Sequence, residues 1–293
     1  MVDYNPKEWL RYIFYFQKAD TARKLTPLIL GIGVYSAVVA YLLMVVWKVG
    51  TNTDLKNISL MHSLLGFVIS MLLVFRTNTA YDRWWEGRKQ WGSLVNSSRN
   101  LALKIHALLG DSHADEREFF QKMITNFAFA LKNHLRNKYH ADDFEDARIF
   151  RRERLKMSDH IPNQIAAAIF SKVIELQKNG VLLPEHTILL NHEIESLTNI
   201  CGACERIKNT PIPLSYSSFI KKFIFIYCLT LPIGYVFSLH VLVIPFVMFV
   251  FYILASLEVI AEEIEDPFGD DSNDLPIERI CAGIKTSTQA LLS

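Results

Sequence analysis

Five residues recur at every fourth position in one stretch of the chain: Ser59, Ser63, Phe67, Met71 and Phe75. On a helix such a row shares one face and drifts slowly around it. It is hydroxyl-bearing at one end and bulky and apolar at the other. On a lone helix this is ordinary packing surface. Repeated around an axis, the same row lines a hole with hydrophobic rings, and such constrictions control conduction by dewetting. Gly66 and Ser70 flank the row and suit close helix packing. The chemistry implied is passage, with no bond made or broken.

Other reactive-looking groups are weaker. Glu258, Glu262, Glu263 and Glu265 follow an apolar run, and Asp270, Asp271 and Asp274 come just after. Carboxylates are the oxygen ligands that Ca²⁺ takes, but the spacing is not that of an EF-hand. A solvated acidic helix surface and turn is the reading the spacing favours. Cys201-Gly202-Ala203-Cys204 has redox CxxC spacing without a βαβ context, so a structural role is favoured. His62 is the only titratable residue of its apolar run. Two readings stay open for it, a functional group within a membrane and a residue at headgroup level. There is no glycine-rich phosphate loop, HExxH, GxSxG or His-Cys metal cluster, and no enzyme activity is expected.

Four apolar runs must position the row. Thr26–Trp47 carries no charge, and Asn57–Phe75 carries none besides His62. Phe223–Leu239 and Val241–Leu257 form a pair interrupted by Pro232 and Pro245. Runs of this length cross roughly 30 Å of hydrocarbon as helices. Lys18, Arg23 and Lys24 precede the first run, Arg76, Arg83, Arg88 and Lys89 follow the second, and Lys221 and Lys222 precede the third. The connection at 48–57 holds only Lys48 and Lys56. The positive-inside rule then places both termini and the long middle segment in the cytoplasm. Between Phe75 and Gly92 no Pro or Asn-Gly stops the helix, so the second span should run on into water through Asp82, Arg83, Glu86, Arg88 and Lys89. Trp84, Trp85 and Trp91 mark its exit or pack on the middle segment. That segment reads as helical throughout, with apolar residues at helical spacing in 117–134, 161–179 and 186–208.

The resulting expectation is an all-α membrane protein. It has a cytosolic or interfacial aromatic and basic segment at 1–25 (Trp9, Arg11, Tyr12, Phe14, Phe16), which reads equally as a helix at the membrane surface or one packed on protein. Spans follow at 26–48, 57–79, 219–239 and 241–258, with a helical cytosolic domain at 80–218 and an acidic cytosolic segment at 259–293. A multi-pass inner (plasma) membrane protein follows. With 293 residues and a net charge of +1 there is no electrostatic case for a nucleic-acid partner. Four cysteines make no disulfide framework.

At Gly66 with Phe75-Arg76, at RTNTAYDRWWEGRKQWG, at Gly202-Ala203-Cys204-Glu205-Arg206, at Thr210-Pro211-Ile212-Pro213, at Glu262-Glu263-Ile264-Glu265-Asp266-Pro267-Phe268-Gly269 and at Asn273-Asp274-Leu275-Pro276, the chain resembles the bacterial branch of the bestrophin family of ion channels. The resemblance covers about 20–285. It implies a homopentamer in the lipid bilayer, with four membrane helices per subunit around one axial pore that passes monovalent ions. The family's hydrophobic neck falls on Phe67, Met71 and Phe75, the outer pore lining on Ser59 and Ser63, and a cytosolic exit constriction on Glu185. A ring of glutamates there favours cations, and cation selectivity is the expectation, with an anion (chloride) channel of the same architecture as the alternative. A membrane-anchored signalling or scaffold protein that conducts nothing is the rival class. No cofactor is required by the resemblance. The animal members' Ca²⁺ clasp would fall on Glu263, Asp266, Asp271 and Asp274.

Overall fold

Apolar runs with few helix breakers fold as predicted into helix after helix. The computed structural model describes residues 21–48, 58–139, 141–156 and 158–293. The interfacial segment proposed for 1–25 lies outside the described residues up to residue 20, as does the connection carrying Lys56. Among the described residues there is no β-strand, only a bridge between Ala147 and Phe150. Two compact units divide the chain.

The first unit takes the described chain up to Arg83 with Pro211–Asp266 and Asp271–Asn273. Helix α1, Thr21–Tyr41, ends in a π-helical turn at Leu42–Val46. Helix α2, Ile58–Leu108, has 51 residues without interruption. At 1.5 Å per residue it is about 75 Å long, far more than the roughly 30 Å of a bilayer core. Glu86 pairs with Lys89 at 2.6 Å and accepts from Gln90 at 2.8 Å, so its charged half is laced by one-turn contacts. The second unit, Trp84–Thr210 with Pro267–Asp270 and Asp274–Ser293, takes the rest of α2. It adds α3 (Ala114–Arg136), α4 (Ile161–Lys178) and α5 (Pro184–Asn209).

Back in the first unit, α6 (Leu214–Leu239) and α7 (Val243–Glu265) are joined by a tight turn in which His240 adopts φ of +50°. Helix α1 packs on both of them, and they pack on each other. Leu25, Ile32, Ile69, Leu73, Ile224, Val247 and Phe251 fill the core. Among the described residues three apolar helical stretches are long enough to cross a membrane, Arg23–Val46, Ile58–Leu108 and Leu214–Glu265. The chain closes with α8, Ile277–Leu292, in the second unit.

In the second unit α3 packs on α4 and α8, and α4 on α5. Asp115 and Glu116 sit in the first turn of α3 and Arg136 in its last, each matched to the helix dipole. Asn137 ends α3 in the left-handed conformation, φ +52°. Trp91, Phe120, Phe127, Ile165 and Leu197 are core residues, whereas Trp85 is exposed. The reading of 80–218 as helical throughout is corrected here. Between Asn137 and His160 the described chain is irregular, with short 3-10 turns only. It buries Phe144, Ala147, Phe150 and Leu155 in the core without forming an α-helix. Side chains hold it instead: Asn126 donates to the Glu145 carbonyl and accepts from the Glu145 N–H, both at 2.8 Å.

A glycine explains part of the quoted motifs. A Cβ on Gly87 would stand 3.0 Å from Phe268 Cε1 and 3.1 Å from Pro267 Cγ, and Phe268 is fully buried. Gly87→Ala therefore has to displace a ring packed in a core. The expected outcome is a loss of about 1–3 kcal/mol, measured as a lowered thermal unfolding midpoint. An unchanged midpoint would show that the ring gives way freely.

Candidate functional site

The first half of α2 has two unlike faces. His62, Ile69, Leu73, Arg76 and Ala80 point into the first unit and are buried. On the other side Phe67, Met71 and Phe75 are 68%, 47% and 57% exposed. Large apolar side chains in a row are left uncovered by their own chain. Ser63, also exposed, donates back to the Ser59 carbonyl at 3.3 Å, while Ser59 is half-buried. Gly66 makes room on the flank, since a Cβ there would lie 2.8 Å from the Tyr227 hydroxyl. That hydroxyl donates to the His62 carbonyl at 3.3 Å.

His62 is a satisfied buried residue. Its Nδ1 lies 2.8 Å from the Ile58 carbonyl and its Nε2 2.9 Å from Thr230 Oγ1, so both ring nitrogens are partnered. Tyr227 and Tyr235 pack around the ring. Cys201 and Cys204 are buried free thiols. Burial, and then the nearby Glu205 carboxylate, pushes Cys201 up to about 12, and burial likewise moves Cys204 upward. Neither is a nucleophile at neutral pH. The structural reading of CxxC fits this environment.

In the second unit, α2 and α5 border a depression of about 380 Å³ lined by Gln90, Ser93, Asn96, Asn100, Ser196 and Asn199, among others. Amides and hydroxyls hydrogen-bond ions of either sign. Glu185 stands exposed in the first turn of α5, with no ion pair among the described residues. Leu183, Ile188 and Leu189 beside it are exposed too.

The acidic residues expected from the resemblance are divided between the two units. Glu263 pairs with Lys24 at 2.5 Å and accepts from Asn273 at 2.6 Å. Asp266 and Asp271 belong to the same unit as Glu263, and Asp274 to the other. Nor are all the glutamates of α7 surface groups, as their sequence suggests. Glu258 and Glu263 are buried, while Glu262 is exposed and pairs with Lys221 at 2.8 Å.

Two clusters had no sequence signal strong enough to find them. Arg76, 1% exposed, donates from Nη2 to Glu265 Oε2 at 2.7 Å and places Nε 3.5 Å from Glu258 Oε2. Glu265 also accepts from the Ile212 N–H at 2.7 Å, and its carbonyl from Arg83 Nε at 3.1 Å. In the second unit His134, His160 and Glu205 meet. Burial raises the Glu205 carboxyl, but hydrogen bonds from His160 and His134 outweigh it and hold it below the ordinary carboxylate range. Burial lowers His134 more than Glu205 raises it, so the ring favours its neutral form. Glu205 lies in a quoted motif, but its partners are 45 and 71 residues away.

Comparison with known proteins places this geometry. The profile of the Bacterial/Fungal Bestrophin protein family matches residues 1–290. A voltage-dependent anion channel-forming protein of Nostoc sp. is 39% identical over 237 residues, 77% of this chain and 75% of that protein. The voltage-dependent anion channel-forming protein YneE of Escherichia coli K12 is 33% identical over 283 residues, 95% of this chain and 90% of its own. A crystal structure of a bacterial bestrophin homolog from Klebsiella pneumoniae superposes with a TM-score of 0.81 at 26% identity, covering 92% of this chain and 98% of that one.

Proposed function

The chain belongs to the bacterial and fungal bestrophin family, a family of membrane ion channels and not of enzymes, and on that premise we propose a homopentamer whose five α2 helices surround one axial pore. Each subunit contributes four membrane helices: α1, the first half of α2, α6 and α7. Both termini face the cytoplasm of the inner membrane, a reading supported by Lys221 and Lys222 before α6 and Arg83, Arg88 and Lys89 along α2. Phe67, Met71 and Phe75 form the hydrophobic neck, and Ser59 and Ser63 line the outer mouth. One observation carries this reading: the three large apolar side chains are exposed on the face opposite a fully packed one. A chain leaves such a row uncovered when copies of itself, a partner or lipid cover it, and its hydroxyl-to-apolar order along α2 suits a shared axis. Permeant monovalent ions pass down their gradient without a cofactor. A bound Ca²⁺ at Glu263, Asp266, Asp271 and Asp274 is not part of the proposal, because Lys24 already neutralises Glu263.

Anion conduction is the reading that the names of the relatives support. The amide and hydroxyl lining beside α2 passes either sign, so selectivity falls to the charged ring at the cytosolic exit. Exposed Glu185 favours the second reading, cation conduction. It sits at the N-terminus of α5, whose dipole contributes about half a positive charge, so that five full negative charges are only partly offset. Reversal potentials of purified protein in planar bilayers under a KCl gradient separate the two. The expected result is an anion-side reversal that moves further toward the chloride potential in Glu185→Gln. A cation-side reversal that shrinks toward zero in Glu185→Gln establishes the second reading. Silence from well-folded wild-type protein would give the case to the non-conducting scaffold.

A further inference from the structure

Three side chains from separate elements of the second unit converge on one point. His134 lies in the last turn of α3, His160 is the residue that caps α4, and Glu205 lies near the end of α5. His134 Nε2 stands 2.7 Å and His160 Nε2 2.6 Å from the same oxygen, Glu205 Oε1. The ring centroids are 4.4 Å apart. Among the described residues this is the one group of three histidine, cysteine or carboxylate ligand atoms that lie within 4.8 Å of one another. We propose that His134, His160 and Glu205 bind a divalent transition-metal ion of the zinc type, through both Nε2 atoms and the Glu205 carboxylate, with water in the remaining position.

The donor set selects the class of ion. Two imidazole nitrogens and one carboxylate suit Zn²⁺, Co²⁺ or Ni²⁺ in a tetrahedral or slightly expanded shell, and suit Ca²⁺ and Mg²⁺ poorly. The geometry is also more convergent than hydrogen bonding alone demands. Both rings aim at one carboxylate oxygen, while Oε2 of Glu205 receives no hydrogen bond among the described residues. His134 has the outer support that ligating histidines use: its Nδ1 lies 2.8 Å from the Tyr139 hydroxyl, which can accept Nδ1–H once Nε2 holds the ion. Lys208 donates its ammonium to the His134 carbonyl and Asn137 Oδ1. The three side chains are 23–30% exposed, which leaves an entry path from solvent.

His160 sets the cost of the site. Its Nδ1 accepts the Asn163 N–H at 3.2 Å, so without an ion the ring carries its proton on Nε2 and donates it to Glu205. Ligation through Nε2 moves that proton to Nδ1 and gives up the cap. The competing arrangement is therefore complete and concrete: two neutral rings donating to one carboxylate, with no ion.

The test uses full-length protein in detergent, stripped with EDTA and titrated calorimetrically with zinc chloride, with Zn K-edge absorption on the loaded wild type. Expected are one zinc per chain and a shell of two imidazoles and a carboxylate oxygen at about 2.0–2.2 Å. His134→Ala and Glu205→Gln should each weaken binding by about tenfold or more. The proposal is overturned by the absence of saturable binding, by wild-type affinity in both variants, or by a sulfur-containing shell. If a variant does not elute as the wild type does, the absorption spectrum of the wild type decides by itself. Conduction plays no part in any of these outcomes.

Discussion

Replacing Phe67, Met71 and Phe75 together with Ala is expected to raise the current through reconstituted protein by about tenfold or more. The reasoning starts from exposure. These side chains are uncovered on α2, as Leu60, Leu64 and Val74 are, while Ile69 and Leu73 are 1% exposed. Trimming the exposed row removes almost no packing inside the subunit. In a five-fold ring the same change widens the neck and makes its wall less apolar, so water and ions enter it more readily. A barrier lowered by about 1.4 kcal/mol gives the tenfold rise. Ile69→Ala and Leu73→Ala supply the contrast. Each should cost about 2–5 kcal/mol of stability as a buried cavity and lower the yield of folded protein without opening the neck. The measurement is macroscopic current per mass of correctly eluting protein, wild type against both sets. Current that falls in the triple variant, with folding intact, would remove the neck from these residues.

Several parts of this organisation were legible in the sequence for definite physical reasons. The four-residue row was visible because helical periodicity is local, and α2 runs unbroken for 51 residues because nothing in 58–108 breaks it. Other parts were hidden because they depend on contacts distant in sequence. For His62 two readings stayed open, and neither could show that Thr230, 168 residues away, lies at its Nε2. Glu258 looked like the start of an acidic surface, since composition does not reveal that Arg76 lies over it. The irregular stretch after Asn137 was missed because its flanks are so strongly helical. The expectation of cation selectivity rested on kinship with the bacterial branch and on the acidic exit at Glu185, whereas relatives at 33–39% identity are named for anions.

The buried Arg76 cluster yields the largest expected effect on stability. Arg76 directly follows Phe75, and on a helix adjacent residues point about 100° apart. With Arg76 fixed between Glu258 and Glu265 of α7, the rotation of α2 about its axis is set, and with it the direction of Phe75. Arg76→Met keeps much of the volume and removes the cation. Glu258 is 3% exposed and would then be a buried carboxylate without its paired cation, a loss of about 3–5 kcal/mol. Glu265 suffers less, being 15% exposed and still bonded to the Ile212 N–H. On a chain of this size the loss corresponds to an unfolding midpoint lower by on the order of 10 °C. Adding Glu258→Leu should recover part of it, because an apolar pair can replace a buried ion pair at little net cost. The double variant is then less destabilised than the sum of the singles, by about 1–3 kcal/mol. Thermal unfolding of the four proteins in one detergent closes the cycle. Additive shifts would mean that Arg76 and Glu258 are neighbours without being partners, and the orientation of Phe75 would have to be set by the apolar face of α2 alone.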